Sequence, residues 1–519
     1  MSRILKDKYV TNPEDEIEDT LPLSEDEDTE SESSDIINEE IFFSGLVMKE
    51  NYILLKKIGS GNNAGVWMIY DIVKQNFYAM KIQDHECFND GCREVCIVKK
   101  IGEYYVTNPN IYCVHMLDYF VYEISNNTKY VCSLYELYAG SIYNIIGDGK
   151  HKYGLPLDIV KNIVKQLLLA VNILHSELNI IHTDIKPENI LFKGNPAYQK
   201  NIIKLFNRSG FQKKYDDLCR QYPDKSSDEK YAEFTDHLDA ISIESIREIA
   251  ILDTCLNGNE ELIPDDLNEE VYFDSDSDNE YEFNSDNSGE EEDEDETTDK
   301  KYNDRLQSIN DTQESLDYQE LHNLDECYNF NIILNNKPNT TDNREIVDDK
   351  YVENCQIAVT DFGNSYFFNK RTRNEIQDRR YRAPEIILDL NYSYACDIWS
   401  VVCVAFELAT GFALFEPEFE PINRDIQHLF MIEKLIDKFP LEMKKKSKRI
   451  RFLFDKKRNY HIKNVEEFNN FPMKERLVKQ FLFNEKDAEE FSDFLSGGFV
   501  IDPIKRATAS ELLQHQWLN

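Results

Sequence analysis

Three side chains in the stretch HTDIKPEN have the types and the spacing that phosphoryl-transfer chemistry requires. Asp184 could orient an attacking hydroxyl and accept its proton, Lys186 could steady the transferring phosphoryl group, and Asn189 could hold a magnesium ion. Such a reaction needs little covalent help from a protein, because positioning and charge stabilisation lower most of the barrier. His182 precedes them and is better explained as a structural core histidine than as a base. The stretch therefore predicts a phosphoryl-transfer site.

A glycine-rich turn, KKIGSGNNAGVW, lies between two apolar stretches. Glycine lets backbone amides approach phosphate groups that a Cβ atom would keep away, so the turn predicts a nucleotide-phosphate site. The pattern G-x-G-x-x-G-x-V would place its third glycine at position 64, but the glycine here comes one position later. An ordinary hairpin turn is the alternative explanation for this motif alone. The candidate phosphate-contacting residues are Ile58, Gly59, Ser60, Gly61, Asn62, Asn63, Ala64, Gly65 and Val66.

Further charged residues follow in the order that such a site needs. Lys81 in YAMK lies on an apolar strand, where its ammonium could reach the α- and β-phosphates, and Glu94 in REVCIVKKI could hold it. Asp361 in VTDFG could supply a second oxygen ligand to magnesium, which prefers hard oxygen donors, and Phe362 could pack behind the site. Each of these charges alone could equally be an ordinary surface residue. Their order along the chain favours one composite site.

Three charged residues downstream are candidates for structural roles. Glu385 in RRYRAPE and Arg506 in PIKRAT could form a buried ion pair, since buried charges persist when they are paired. Asp397 in CDIWS could anchor the backbone of the HTDIKPEN stretch from a central helix. These residues would support the site without touching a substrate.

The chain of 519 residues has a formal charge of −40, and two tracts carry most of it. Residues 14–40 contain 14 acidic residues and residues 260–299 contain 20, with no Lys or Arg in either tract. Such segments bury too little apolar surface to offset chain entropy, so both are predicted to be disordered. Their serines beside acids would suit acidophilic kinases, but a solvated segment is the simpler interpretation. The remainder is close to neutral, which argues against direct nucleic-acid binding.

Composition and periodicity divide the chain into four regions: an acidic tail (1–45), a mixed region (52–192), an insert (193–354) and a second globular region (355–519). Apolar residues recur at three and four positions in 157–175, 396–409, 425–438 and 487–496, which predicts helices there.

The insert is predicted to be mostly disordered and acidic, with one amphipathic stretch near 229–252. Its flanks, NILF and QIAVTDFG, are predicted to pair as a short hairpin. The insert would then be tethered at two adjacent strand ends, where its length costs little closure entropy.

Four longer runs make the match to a known family more specific: IIHTDIKPENIL, IQDRRYRAPEIIL, DIWSVVCVAFELATGFALFEP and KRATASELLQHQWLN. Together with GVW after the glycine turn and GLPLDIVK before the long helix, they resemble the serine/arginine-rich-protein kinases of the CMGC group. The resemblance covers about 50–192 and 355–519. That family also carries a long spacer after the strand that follows the catalytic loop, where this chain has its insert.

The resemblance implies an α+β, two-lobed protein kinase fold with a small β-rich N-lobe and a large helical C-lobe. It implies transfer of a phosphoryl group to protein Ser or Thr hydroxyls, with ATP and Mg²⁺ as cofactors. It adds Glu136 and Leu137 to the nucleotide-binding residues. Arg382, just before Ala-Pro-Glu, is the residue that CMGC kinases place there.

Thr183 stands where most loops of this kind have an Arg immediately before the catalytic Asp. A buried guanidinium there is often neutralised by a phosphate on the activation segment, whereas a threonine brings no charge to satisfy. The segment 361–385 offers only Ser365 and Thr372 as hydroxyl candidates of the Ser/Thr type. Residues and resemblance therefore agree on an enzyme that is competent without activation-segment phosphorylation.

Substrate docking is where the chain departs from the resembled family. Those kinases hold arginine-rich substrates with carboxylates near the helix that follows the ELATG segment. RDIQHLFMIEKLIDK keeps Asp425, but Lys434 falls where an acid is expected, with Glu433 one place earlier. The basic run EMKKKSKRIRF at 442–452 would repel a cationic substrate if it lay nearby. Arg/Ser-rich substrates are thus one expectation, and another substrate class stays open.

The cellular setting predicted from the sequence is cytoplasmic or nuclear. No run of about 18 apolar residues occurs, and the start MSRILKDKYV lacks a secretory pattern. The 11 cysteines show no framework spacing, which predicts reduced thiols. A zinc site at Cys87, Cys92 and Cys96 is the less favoured alternative to half-buried thiols, because its spacing is irregular. A monomer is the default expectation.

Two functional classes besides an active kinase stay open. One is a pseudokinase scaffold that binds nucleotide without turnover, and the other is a partner-binding protein that acts through its insert. The residues whose loss usually marks a pseudokinase are all present, so an active kinase with protein substrates is favoured.

Overall fold

The computed structural model describes residues 8–10, 44–61, 63–124, 128–146, 151, 153–194, 196–225, 227–257, 355–370, 375–417, 423–458, 461–462 and 472–519. All of them belong to one unit, formed by residues 1–268 and 343–519. The predictions for the two acidic tracts, for Asn62 and for Thr372 lie outside the described residues.

The N-lobe is a seven-stranded antiparallel sheet with the strand order β1-β6-β7-β5-β4-β3-β2. Alternation along β4 places Trp67 and Ile69 in the core on one face of the sheet, and Met68 and Tyr70 in the core on the other. One helix, α1 (Phe88–Thr107), packs on the sheet. The strands are β1 (Lys8–Val10), β2 (Val47–Met48), β3 (Tyr52–Gly61), β4 (Ala64–Asp71), β5 (Asn76–Gln83), β6 (Met116–Ile124) and β7 (Thr128–Tyr135).

The chain enters the second lobe through β8 (Tyr138–Ser141), α2 (Tyr143–Ile146) and α3 (Leu157–Ser176). The helix predicted at 157–175 is therefore confirmed, and its three- and four-residue apolar spacing buries one face of α3. Two short strands, β9 (Ile180–Ile181) and β10 (Ile190–Lys193), enclose the HTDIKPEN loop.

The first part of the insert is folded. Residues 197–257 form three helices, α4 (Ala197–Arg208), α5 (Phe211–Gln221) and α6 (Asp228–Asn257). Apolar side chains of these helices, among them Leu205, Phe211 and Leu238, share a buried cluster with Ile53 and Met68 of the N-lobe sheet. The insert is thus ordered in this part, where its apolar side chains have a sheet face to pack on, and the amphipathic stretch predicted near 229–252 lies within α6. Residues 258–354 lie outside the described part of the chain.

The strands on either side of the insert pair as the sequence predicted. In the pair of β10 with β11 (Ile357–Val359), Ile190 lies opposite Val359. The Lys193 amide donates to the Gln356 carbonyl at 2.9 Å, so the insert leaves and returns at adjacent strand ends. A further strand, β12 (Tyr366–Phe367), pairs with β9 and joins the segment after VTDFG to the HTDIKPEN loop.

The large lobe is mainly helical, which confirms the two-lobed α+β architecture. Its central helix, α8 (Ala395–Thr410), is mainly apolar and is buried from Cys396 to Thr410, as expected for a helix inside a lobe. The other elements of this lobe are α7 (Pro384–Ile387), α9 (Arg424–Leu435), α10 (Leu441–Lys446), α11 (Ile450–Leu453), β13 (Phe454–Asp455), β14 (His461–Ile462), α12 (Met473–Lys479), α13 (Glu485–Gly498) and α14 (Ala509–Leu513).

Candidate active site

Lys81 lies at the centre of a charged group that joins both lobes. Its Nζ atom lies 2.8 Å from both carboxylate oxygens of Glu94 on α1, and 2.9 Å from Oδ1 of Asp361. Burial by itself would lower the pKa of Lys81, but the two carboxylates outweigh it and the net pKa lies above its ordinary value. Burial would raise the pKa of Asp361, and Lys81 holds it below the usual range instead. Lys81 and Asp361 are therefore both charged at neutral pH.

The HTDIKPEN loop brings its three candidate residues together. The Lys186 ammonium lies 3.1 Å from Oδ2 of Asp184. The Asn189 amide donates to the Asp184 carbonyl at 2.8 Å and to its Oδ2 at 3.1 Å. Burial would lower the pKa of Lys186, but Asp184 and its neighbours raise it above the ordinary value. The loop thus fixes a buried carboxylate beside an ammonium, and the Asn189 amide orients that carboxylate.

Asp397 holds the backbone of this loop from the start of α8. Its Oδ2 accepts from the His182 amide at 2.8 Å, and its Oδ1 accepts from the Thr183 amide at 2.9 Å. Nε2 of His175 lies 2.8 Å from the same carboxylate. Thr183 has φ +67°, an uncommon conformation for a β-branched residue, so the backbone there needs this support.

His182 is a buried structural residue, as the sequence suggested. Its Nε2 lies 3.0 Å from the Thr360 carbonyl oxygen, and its ring packs against Phe362 with the centroids 5.0 Å apart. Phe362 is itself fully buried. The two rings therefore pack together beside the charged group.

Thr183 and Ser365 connect the loop to the segment after VTDFG. The Thr183 hydroxyl donates to the Asn364 carbonyl at 2.6 Å, and the Ser365 hydroxyl donates to the His182 carbonyl at 2.9 Å. Both side chains are fully buried. Most loops of this kind have an Arg at this position. Thr183 instead makes a hydrogen bond there that involves no charged side chain.

The glycine turn and the connection between the lobes lie at the entrance to this cleft. Lys81 lies directly opposite Val66 in the β4–β5 pair, and the β3–β4 hairpin turns just before Val66, between Gly61 and Ala64. The turn is mostly exposed, as is Glu136, and Leu137 is half-buried. Ile58 and Leu137 both pack against the main core. The structure describes the turn on both sides of Asn62, which itself lies outside the described residues.

Glu385 and Arg506 form a fully buried bidentate ion pair. Arg506 Nη1 and Nη2 each lie 2.8 Å from a carboxylate oxygen of Glu385, and both side chains have no exposed surface. Arg506 also donates to the carbonyls of Ala395 and Val500, at 2.7 and 2.9 Å. The pair therefore fixes the APE segment to two distant parts of the C-lobe.

Arg382 forms hydrogen bonds within the segment that precedes Ala-Pro-Glu. It donates twice to the Gln377 carbonyl, at 3.1 and 2.8 Å, and pairs with Glu375 at 3.1 Å. The segment just before Ala-Pro-Glu is thereby held in one conformation.

The carboxylates that the sequence offered for substrate docking are paired within the chain. Asp425 on α9 forms ion pairs with Arg379 and, at 2.6 Å, with Arg449. Glu433 is buried and lies 2.8 Å from the Lys444 ammonium. The basic run supplies both Arg449 and Lys444, so it neutralises these acids.

A cavity of about 460 Å³ opens beside the HTDIKPEN loop. Its wall includes Glu188, whose Oε2 atom is buried without a hydrogen-bond partner among the described residues. Burial raises the pKa of Glu188 above its ordinary value. The other charged residues of the wall are Glu375, Asp378, Arg379, Arg380, Arg382 and Arg424.

A comparison with protein families agrees with this geometry. The family model for the protein kinase domain matches residues 52–208 and 331–518, so it is split at the insert. The chain belongs to the protein kinase family. This kinase brings the lysine, the glutamate and the aspartate of its two lobes into one cleft, as the motif order predicted.

Comparisons with individual proteins identify the branch of the family. The kinase is 59% identical, over 98% of its length and 94% of the relative, to L205 of Acanthamoeba polyphaga mimivirus, a candidate serine/threonine-protein kinase by name. It is 26% identical to the protein kinase dsk1 of Schizosaccharomyces pombe, over 90% of its length and 80% of the relative. It is 25% identical to the human SRSF protein kinase 3, over 92% of its length and 87% of the relative. The enzyme is a serine/threonine-protein kinase, and the predicted resemblance to the SR-protein kinases is confirmed.

Two contacts at the site had no signal in the sequence. Arg93 on α1 donates to the Gly363 carbonyl at 2.8 Å and lies over the ring of Tyr366, 5.2 Å from its centroid. Gln377 donates to the Cys396 carbonyl at 2.9 Å and to the Ser400 hydroxyl at 2.7 Å. Arg93 and Gln377 are single side chains whose partners lie elsewhere in the sequence. Neither residue belongs to a motif with a characteristic spacing, so the sequence alone does not indicate these contacts.

Two sequence predictions concern features outside the cleft: a zinc site and membrane-spanning segments. Cys92 is buried against Val95 and Val131, and among the described residues no three His, Cys, Asp or Glu side chains are grouped to hold a metal. None of the described helices has the length and apolar character needed to cross a membrane.

Proposed function

We propose that this kinase transfers the γ-phosphoryl group of magnesium-bound ATP to protein Ser or Thr hydroxyls and that it is active without phosphorylation of its activation segment. The observation that carries the proposal is the single cleft in which Lys81 contacts Glu94 and Asp361. In this mechanism Asp184 orients the acceptor hydroxyl and receives its proton, while Lys186 stabilises the charge that develops on the transferring group.

Asn189 and Asp361 are the proposed magnesium ligands. Their donor atoms are an amide oxygen and carboxylate oxygens, which are the hard ligands that magnesium prefers. Asn189 uses its nitrogen to hold Asp184, which leaves its oxygen for the ion. When bound, magnesium would neutralise phosphate charge. The Lys81 ammonium would pair with the α- and β-phosphates, while Glu94 keeps it in position.

Activation without phosphorylation is supported by three hydrogen bonds to the segment after Asp361, none of which involves a phosphate. Arg93 donates to Gly363, the Thr183 hydroxyl donates to Asn364, and the Ser365 hydroxyl donates to His182. Further along, Gln377 ties the segment to α8. These bonds hold in place a segment that other kinases order with a phosphate. Ser365 is buried, so a kinase could modify it only after the segment opened.

Treatment of the purified kinase with alkaline phosphatase is expected to change its specific activity by less than about twofold, because the links above contain no phosphate. The measurement is the initial rate of peptide phosphorylation before and after treatment, with complete dephosphorylation checked by intact mass. A kinase that requires an activation-segment phosphate, treated in parallel, is the control. Loss of activity in both enzymes would contradict the proposal.

Arg/Ser-rich proteins are the proposed substrate class. The resemblance to SR-protein kinases supports it, and so does the name of the human relative, SRSF protein kinase 3. Asp425 and Glu433 are paired internally, so they are poor candidates for substrate docking. Glu188 is a better candidate, because a substrate guanidinium would satisfy its buried Oε2 atom four residues from Asp184.

A peptide array that compares Arg-Ser, Ser-Pro and acidic acceptor peptides is expected to show the highest kcat/KM for Arg-Ser. Glu188→Gln should lower that preference by about tenfold, since a charge-assisted hydrogen bond would be lost. Glu490→Gln, which changes a partly exposed carboxylate on α13 that pairs with Lys486, is the control and should leave the preference unchanged. If acidic peptides were the best acceptors, the proposed substrate class would be wrong, while the kinase activity itself would stand.

A further inference from the structure

We propose that the folded part of the insert belongs to the nucleotide site, and that Gln199 on α4 is the residue through which it positions the connection between the lobes. The inference rests on the proposed function in one respect: nucleotide is taken to bind between the glycine turn and Glu136–Leu137. It gives the insert helices a role in nucleotide affinity that is separate from the chemical step.

Gln199 makes the direct contact. It is fully buried, and its Nε2 atom donates to the backbone carbonyl of Tyr138 at 2.7 Å. Tyr138 is the first residue of β8 and follows Leu137 directly in the chain. Tyr138 is half-buried, and loss of the donor to its carbonyl would cost free energy, so Gln199 stabilises this path of the connection over others.

Apolar packing supports the same contact from a second side. Leu205 and Phe206 of α4 lie in the buried cluster that covers the outer face of β3 and β4. Ile58 and Leu137 are half-buried and touch both this cluster and the main core. In the proposed nucleotide site, Ile58 is an apolar residue beside the glycine turn and Leu137 is an apolar residue of the connection between the lobes. The helix α4 therefore forms the wall behind them.

The catalytic loop is held independently of the insert. Its backbone is anchored by Asp397, and its side chains Asp184, Lys186 and Asn189 contact one another. None of these bonds includes a residue of 197–257. Loss of the Gln199 contact should consequently weaken nucleotide binding and leave the rate of phosphoryl transfer in the bound complex almost unchanged.

The test is Gln199→Met, which keeps the length of the side chain and removes the donor. We expect the KM for ATP and the dissociation constant of a fluorescent ADP analogue to rise by about fivefold, with kcat changed by less than about twofold. Gln212→Met is the matched control. Gln212 is an amide of the same insert, on α5, that accepts from the Tyr70 hydroxyl at 2.8 Å on the outer face of the sheet. It should lower thermal stability by a similar amount and leave nucleotide affinity unchanged.

Two outcomes would overturn the inference. Nucleotide affinity of Gln199→Met within twofold of the parent would show that the hinge contact has no role in binding. An equal loss of affinity in Gln212→Met would show that the insert acts only through general stability. The ADP titration needs no phosphoryl transfer, so these results are distinct from a failure of the proposed kinase mechanism, in which the parent protein itself would show no turnover.

Discussion

Asp184→Asn is expected to reduce kcat by about 10³-fold while the fold and the affinity for ATP are retained. The amide has nearly the shape of the carboxylate, so the loop keeps its Asp397 anchors. It cannot accept a proton from the acceptor hydroxyl, and it removes the negative charge that lies 3.1 Å from the Lys186 ammonium. The variant therefore isolates the chemical role of this one oxygen-bearing group.

The measurements are single-turnover phosphorylation of an Arg-Ser peptide, ADP-analogue titration and the unfolding temperature. Asp389→Asn is a suitable control. Asp389, which has positive φ, is also an Asp beside a lysine, and its Oδ1 lies 3.1 Å from the Lys448 ammonium, outside the charged group of the cleft. It should behave like the parent. Activity above about a tenth of the parent in Asp184→Asn would show that Asp184 is not the proton acceptor.

The same variant separates the functional classes that the sequence left open. A pseudokinase scaffold would bind nucleotide in both parent and variant and turn over in neither. A protein that works through its insert would keep its partner in the Asp184→Asn variant. Only an active kinase loses its main activity with nucleotide affinity intact.

Sequence predicts a site residue when the chemistry requires one residue type at one position of a motif. Lys81, Glu94 and Asp361 come from distant parts of the chain, and their meeting at 2.8–2.9 Å follows from the order of their motifs. The β10–β11 hairpin followed from apolar flanks on both sides of the insert. In such cases each motif is a short run of sequence, even though the residues in contact are far apart in the chain.

The parts that were missed depend on pairings with no local pattern. Asp425 stands where the resembled family has a docking carboxylate, and Glu433 lies one place before another such position, but the cations that pair with them come from positions 379, 444 and 449. The helices α4 and α5 were not predicted, since charge dominates the composition of the insert, and only the amphipathic stretch near 229–252, within α6, gave a signal. Their apolar residues have meaning only beside β3 and β4, against which they pack.

The buried ion pair of Glu385 and Arg506 is expected to show the largest effect on stability. Arg506→Met would leave the Glu385 carboxylate without exposed surface and without its two bonds at 2.8 Å, which should cost about 3–5 kcal/mol of unfolding free energy. The unfolding temperature should fall on the order of 10 °C. Activity should fall with it, because Glu385 lies in the segment that presents the acceptor.

A double-mutant comparison identifies the unpaired charge as the cause. Glu385→Gln together with Arg506→Met should recover about 2 kcal/mol relative to Arg506→Met, because the variant buries no uncompensated carboxylate. Lys479→Met, which removes an exposed helix pair with Glu475 at 3.0 Å, is the control and should change stability by less than about 0.5 kcal/mol. Arg506 also donates to Ala395 and Val500, so the double variant should remain below the parent. If the double variant were no more stable than Arg506→Met, those lost carbonyl bonds, and not the buried charge, would explain the loss.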